Sequence, residues 1–220
     1  MRRPAAAIIL ACALFGLSAC GGGDGDRGPQ TFIAQILSDS SYDGDIQQTG
    51  PGTYVVTQGM SSTVQSVFAG IDPGGGTEYR AFLDFPLTGQ GGVPGDAVIQ
   101  SAFLDLYVDD LQPPAATLPV LVDLVSFDPP TLIETDFDRM QQPPLASITI
   151  SPPIGRSDVG NIASIDVTPL MQEAQRRGLA NFQIRIMEDL VPAVSALMEI
   201  DDTTGPDRQA RAPLLTVTYY

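Results

Sequence analysis

The sequence has no histidine and no tryptophan, and all 11 of its basic residues are arginine, so it has no lysine either. Without histidine, Ser–His and Cys–His nucleophile systems are excluded, and the commonest metal ligand is missing. Without lysine there is no P-loop lysine and no Schiff-base amine. Most familiar enzyme chemistries are thereby removed. Cysteine is scarce too, with only Cys12 and Cys20. The one long apolar run, residues 4–16, is too short to span a bilayer.

What is present is acid. The 26 acidic residues set the formal charge at −15. Removal of a leader carrying Arg2 and Arg3 would leave 9 − 26 = −17. Such a charge repels nucleic acid and anionic membrane surfaces and suits a cationic partner, a neutral glycan or a divalent metal. It is also a common route to solubility. The chain of 220 residues, 43% hydrophobic, is long enough for one domain with a substantial core. Its 22 glycines and 19 prolines are spread along the chain, as many short strands and turns require.

Residues 79–85 alternate as a half-buried strand, and a Gly/Pro-rich turn separates them from residues 97–108. There Ala102, Leu104, Leu106 and Val108 share one face. This pair organises the expected fold. Further strands are expected at 31–37, 53–57, 62–69, 118–127, 145–150, 164–167, 181–187, 195–200 and 214–220, with polar loop at 38–52 and an excursion at 128–144. One helix is expected at 169–177, with Thr168 as N-cap, Pro169 in the first position and Gly178 closing it. The expectation is an all-β, two-sheet antiparallel β-sandwich of jelly-roll type with one short helix, in a single domain over 31–220.

At the N-terminus, Arg2-Arg3, the apolar run and Leu17-Ser18-Ala19-Cys20 together resemble the lipobox of bacterial lipoproteins. That resemblance implies a signal peptide over 1–19 and a lipid-modified Cys20 as the first mature residue. Several acyl chains on one residue give stable membrane anchoring. Cys12 would leave with the leader, so no disulfide could form within the mature chain. Residues 21–29 read as a tether. Gly21 is not the Asp that retains enteric lipoproteins at the inner membrane, so the resemblance implies a cell-envelope protein at the outer membrane.

Four segments, 80–85, 99–108, 165–168 and 211–219, resemble in order and spacing the DNRLRE (disaggregatase-related) domains of secreted and surface proteins. The resemblance covers roughly 38–220. It implies a jelly-roll sandwich allied to carbohydrate-binding modules, without catalysis and with glycan or adhesive ligands. The Trp-containing middle section of that family is replaced here by residues 127–144.

Opposite the leucines, the organising pair presents Arg80, Phe82 and Asp84 on one strand and Phe103, Asp105 and Tyr107 on the other. With Asp123 and Arg185 on nearby strands, one face would combine rings, carboxylates and guanidinium, as sugar sites do. The plainer expectation is that Phe82 and Phe103 pack under loops or against the second sheet, with the charges at a rim. Asp84 and Asp105 could also stand as a glycosidase pair, a third reading. Asp39, Asp43 and Asp45, with Asp201 and Asp202 as further candidates, are possible ligands for a structural calcium; ordinary turn capping is the alternative. A structural envelope lipoprotein that contacts a protein partner and has no glycan affinity is the competing function.

Overall fold

A computed structural model describes residues 29–127, 131–189 and 195–220. The leader 1–19, Cys20 and most of the tether lie outside the described residues. Thr31–Tyr220 forms one compact unit.

The strands are β1 (Phe32–Leu37), β2 (Gly44–Gly50), β3 (Thr53–Gln58), β4 (Ser66–Ile71), β5 (Glu78–Pro86), β6 (Ile99–Gln112), β7 (Thr117–Leu118) and β8 (Val120–Val125). They continue with β9 (Ala146–Thr149), β10 (Ile154–Gly155), β11 (Asn161–Asp166), β12 (Asn181–Glu188), β13 (Leu197–Asp201) and β14 (Leu214–Tyr219). Two helices, α1 (Thr168–Arg177) and α2 (Arg208–Arg211), interrupt them. The fold is all-β and antiparallel, as expected from the alternation and the turn residues.

The layers belong to one curled sheet of twelve strands rather than to two separately bonded sheets, with β7 and β10 forming a small second sheet. β6 makes this possible because it is 14 residues long. Its first part pairs with β14 on one edge and β11 on the other, and β1 extends that layer beyond β14. Its end pairs with β13, which leads through β4 to β5, β12, β8 and β9. Inward side chains of both parts fill one core. Leu104, Leu106, Ile165, Leu215 and Val217 come from the first, and Leu83, Phe85, Val122, Leu124, Ile184 and Ile186 from the second. Leu170, Met171 and Ala174 of α1 join that core.

Three local expectations need correction. β5 and β6 are not neighbours, because β4 and β13 stand between them. β2 lies within the expected polar loop. Its apolar content is a single residue, Ile46, too little to register as alternation, and its pairing with β3 and β5 creates the strand. Thr168 does not cap α1. It is the first helical residue, its hydroxyl accepts the Ala102 N–H (2.9 Å), and Asp166 Oδ1 receives the Thr168 N–H (2.9 Å). Gly178 closes the helix in the left-handed conformation, φ 67°, as expected.

Gly70 is a sensitive position where β4 meets β13. Its φ is 117°, and a Cβ built there would lie 2.1 Å from the Ala196 carbonyl oxygen. Gly70→Ala is expected to lower the unfolding free energy by roughly 1–3 kcal/mol from backbone strain alone. Urea denaturation checks this; an unchanged midpoint contradicts it.

Candidate functional site

The six residues expected to share one face fall in two places. Arg80, Phe82 and Asp84 lie on the outward side of β5, but residues 131–144 and the β2–β3 hairpin cover Arg80 and Phe82, and Asp84 is buried beside Asn181 and Gln183. Phe82 packs with Ile46, Val125, Phe127, Leu132 and Phe137 in a second apolar cluster. Arg80 donates to Glu78 (2.8 Å) and to the Phe137 carbonyl, and its guanidinium lies 4.0 Å from the Phe137 ring centroid. The plainer expectation, rings packed under a loop, describes Phe82.

Asp123 and Arg185 do lie beside this group, paired across β8 and β12 and both fully buried. Arg185 Nη2 is 2.7 Å from Asp123 Oδ2, and Nη1 donates to the Asp136 carbonyl at 2.6 Å. Arg139 Nε and Ser147 Oγ also donate to Asp123, at 3.0 and 2.6 Å. Burial works against the Arg185 charge, and Asp123 opposes that loss. Gln183 grips the Phe127 backbone from both sides, receiving its N–H (3.0 Å) and donating to its carbonyl (3.2 Å). Asp84 is held by the amides of Asn181 (2.9 Å) and Gln183 (2.8 Å), with burial pushing its carboxyl up. This constellation fastens residues 131–144 to the sheet as a strap and leaves Arg80, Phe82 and Asp84 buried.

Phe103, Asp105 and Tyr107 are different. They project from the outward side of β6, in the layer β1–β14–β6–β11, where nothing among the described residues overlies Phe103 fully; it remains 41% exposed. Pairing sets the rows of this face. Thr216, Phe103 and Asp166 form one row, and Leu214, Asp105 and Ser164 the next. Ile162, 54% exposed, stands beside Tyr107. The Arg211 guanidinium sits 4.7 Å from the Tyr107 ring centroid and is itself 3.3 Å from Asp201 Oδ2. Such a cation–ring contact orients the ring at small entropic cost. Asp105, Tyr107, Ile162, Leu214 and residues 209–212 enclose a depression of about 280 Å³.

A depression with an aromatic wall, an apolar ridge, a carboxylate and a guanidinium can hold a polyhydroxylated ring. Rings and Ile162 offer apolar area to C–H faces, and the charged groups offer directional hydrogen bonds. Arg211, Ile162 and Leu214 were not singled out from the sequence as ligand residues. Leu214 is marked only as a strand position and Ile162 lies outside the expected strand 164–167; cross-strand register brings them to Tyr107.

Among the described residues, the acidic residues Asp39, Asp43, Asp45, Asp201 and Asp202 do not converge on one point. Asp39 caps its own turn, receiving the Ser41 N–H at 3.0 Å. Asp45 is buried on β2 beside β4, accepting from the Phe68 backbone, and burial pushes its carboxyl up to about 7. Asp43 instead meets Asp202, both fully buried. Asp43 Oδ1 receives the Asp84 N–H (2.7 Å), while Ser38 Oγ and Arg208 Nη1 each approach Asp202 Oδ1 at 3.4 Å. The other carboxyl oxygen of each finds no protein donor among the described residues. Burial and the neighbouring Asp202 hold the Asp43 carboxyl well above its ordinary value; burial lifts Asp202 to about 6. Among the described residues no three carboxylates converge where a metal could be held. Asp201 is committed to Arg211 and to the Thr203 N–H (2.9 Å).

Asp84 and Asp105, the expected acid pair of a glycosidase, stand on strands separated by two others, with Asp84 buried and Asp105 on the outer face of β6. No protein-family model matches the sequence, and comparison with curated proteins returns no match.

Proposed function

We propose that this chain is a lipid-anchored cell-envelope protein whose β-sandwich domain binds glycan without catalysis, through the open face of β14, β6 and β11. The observation that carries the binding reading is the depression in which Arg211 orients Tyr107 beside Asp105 and the exposed Ile162. The anchoring part rests on the lipobox-like residues that end at Cys20, and the glycan part is also supported by the resemblance to DNRLRE domains. Mass spectrometry of the membrane fraction is expected to find an acylated Cys20 as the first residue; an unacylated secreted product contradicts that part.

The binding reading is tested on a glycan array with the chain begun after Cys20. Retention of the unaltered chain is expected. The double variant Phe103→Ala/Tyr107→Ala is expected to lose at least about tenfold in affinity, since each ring contributes roughly 1 kcal/mol of contact. Both side chains are partly or largely exposed, so the fold should survive, which circular dichroism checks. Unchanged retention in the variant ends the assignment of this face.

A specific feature favours one competitor. Ile33 (68% exposed), Phe103 and Ile162 all lie on this same outer face, and exposed apolar residues of this kind also suit an envelope protein partner. A blank array, together with cross-linking of the intact chain in membranes through this face, would support that reading instead.

A further inference from the structure

The depression at Tyr107 does not end at Ile162. On the far side of that residue a groove of about 390 Å³ runs between β11 and residues 148–154. Its walls include Thr149, Ser151, Asp158, Ser164 and Asp166. Ile162 lines both spaces. Among the described residues β11 pairs only with β6, so its other edge faces this groove and keeps its backbone polar groups turned toward it.

We propose that the depression and the groove form one binding track, and that its ligand is an extended neutral polysaccharide. This rests on the glycan reading given above and adds the length and charge of the ligand. Leu214, Tyr107 and Ile162 sit on three successive strands, so the first part of the track covers roughly 10 Å at a strand spacing of about 4.8 Å, before the groove begins. One sugar ring cannot fill both spaces; a chain lying over Ile162 can. Hydroxyl and carboxylate groups recur along the way at Asp105, Ser164, Asp166, Asp158 and Thr149, as a repeating polyol requires. Asp158 and Asp166 each use one oxygen on a backbone N–H, of Gly155 and Thr168 respectively. That holds the carboxylates in fixed orientation.

The charge of the track restricts the polymer. The groove lining holds two carboxylates and no cation, and the single guanidinium of the depression, Arg211, is already paired with Asp201. A uronic or sulfated chain would meet net negative charge along most of its length, on a domain that is itself strongly acidic.

The test is calorimetric titration of the chain begun after Cys20 with cello-, xylo- and manno-oligosaccharides, from disaccharide to octasaccharide, alongside sulfated octasaccharides. For at least one neutral series, affinity is expected to rise at least about tenfold between disaccharide and octasaccharide, with the sulfated chains weaker. Thr149→Arg, on the exposed wall of the groove away from Asp105, is expected to reduce octasaccharide affinity to the disaccharide level and leave the disaccharide unchanged. Ser151→Arg, on the same wall, provides the same readout should the first variant be unstable. Affinity that is independent of length, or sulfated chains that bind best, overturns the track while leaving the Tyr107 depression as a site. Absence of binding at every length overturns both.

Discussion

Replacing Asp123 with Ala is expected to lower the unfolding free energy by about 3–5 kcal/mol, because it leaves the Arg185 guanidinium buried and without its counter-charge. Arg185 is fully enclosed, and Asp123 supplies both of its close ionic contacts, at 2.7 and 3.2 Å. The loss extends to the strap. Arg139 and Arg185 hold residues 136–142 to the sheet through Asp123 and through the Asp136 and Gln142 carbonyls. Arg139→Ala is expected to be far milder, about 0–1 kcal/mol, since that side chain is partly exposed and solvent takes over its contact. The double variant Asp123→Leu/Arg185→Met should recover part of the single-variant loss. It removes both charges but leaves the two strap carbonyls without a donor. Guanidinium denaturation measures all three, and trypsin cleavage after Arg139 reports on the strap. A loss below about 1 kcal/mol in Asp123→Ala would show that water reaches Arg185.

The second large effect is a stability that falls as the solution becomes less acidic. Asp45 is raised from 3.8 to about 7 by burial, Asp202 to about 6 by burial, and Asp43 is raised by burial and by Asp202. For each, the folded chain binds a proton more tightly than the unfolded chain. The associated stability is therefore fully present below about pH 3.8 and is lost as pH rises through the folded values. For Asp45 alone, the difference between 3.8 and about 7 corresponds to roughly 4 kcal/mol. Glu173 acts oppositely, held at about 2 by hydrogen bonds from Arg176 and Arg177, but its contribution fades only as pH falls below its ordinary value of 4.5. The two windows scarcely overlap. The melting temperature is accordingly expected to be highest near about pH 4–5 and to fall toward about pH 8. Asp45→Asn keeps an acceptor for the Phe68 N–H and removes the buried charge. It should raise the melting temperature at about pH 8 and leave it little changed below about pH 3.8. A profile that is flat, or that rises with pH, contradicts the burial of these carboxyls.

How much of this was legible beforehand depends on the range of the interaction concerned. Period-two alternation in β5 and β6 is local, so it identified the inward set Ala102, Leu104, Leu106 and Val108 directly. Gly178 was legible for the same reason, since a helix stop is written within one turn. β2 was not. One buried isoleucine carries too little apolar signal, and the strand exists because β3 and β5 bond to it on either edge.

The candidate site divides along the same line. Parity placed Arg80, Phe82, Asp84, Phe103, Asp105 and Tyr107 correctly on the outward sides of their strands. It carried no information on which strands are neighbours or on what lies over them. Only the pairing of β6 with β14 and β11 brings Arg211 and Ile162 to Tyr107, and only the strap turns the Arg80–Asp84 side into interior.

Composition and local pattern thus determined an acidic, histidine-free, all-β chain, because those properties depend on residue identity and on neighbours a few positions away. The tertiary structure decided that Asp43 meets Asp202 across 159 residues (202 − 43), that Asp123 and Arg185 become a buried pair, and that one half of the expected face stays open while the other is covered. Desolvation and pairing between distant segments set those outcomes, and neither is a property of any stretch of the chain taken alone.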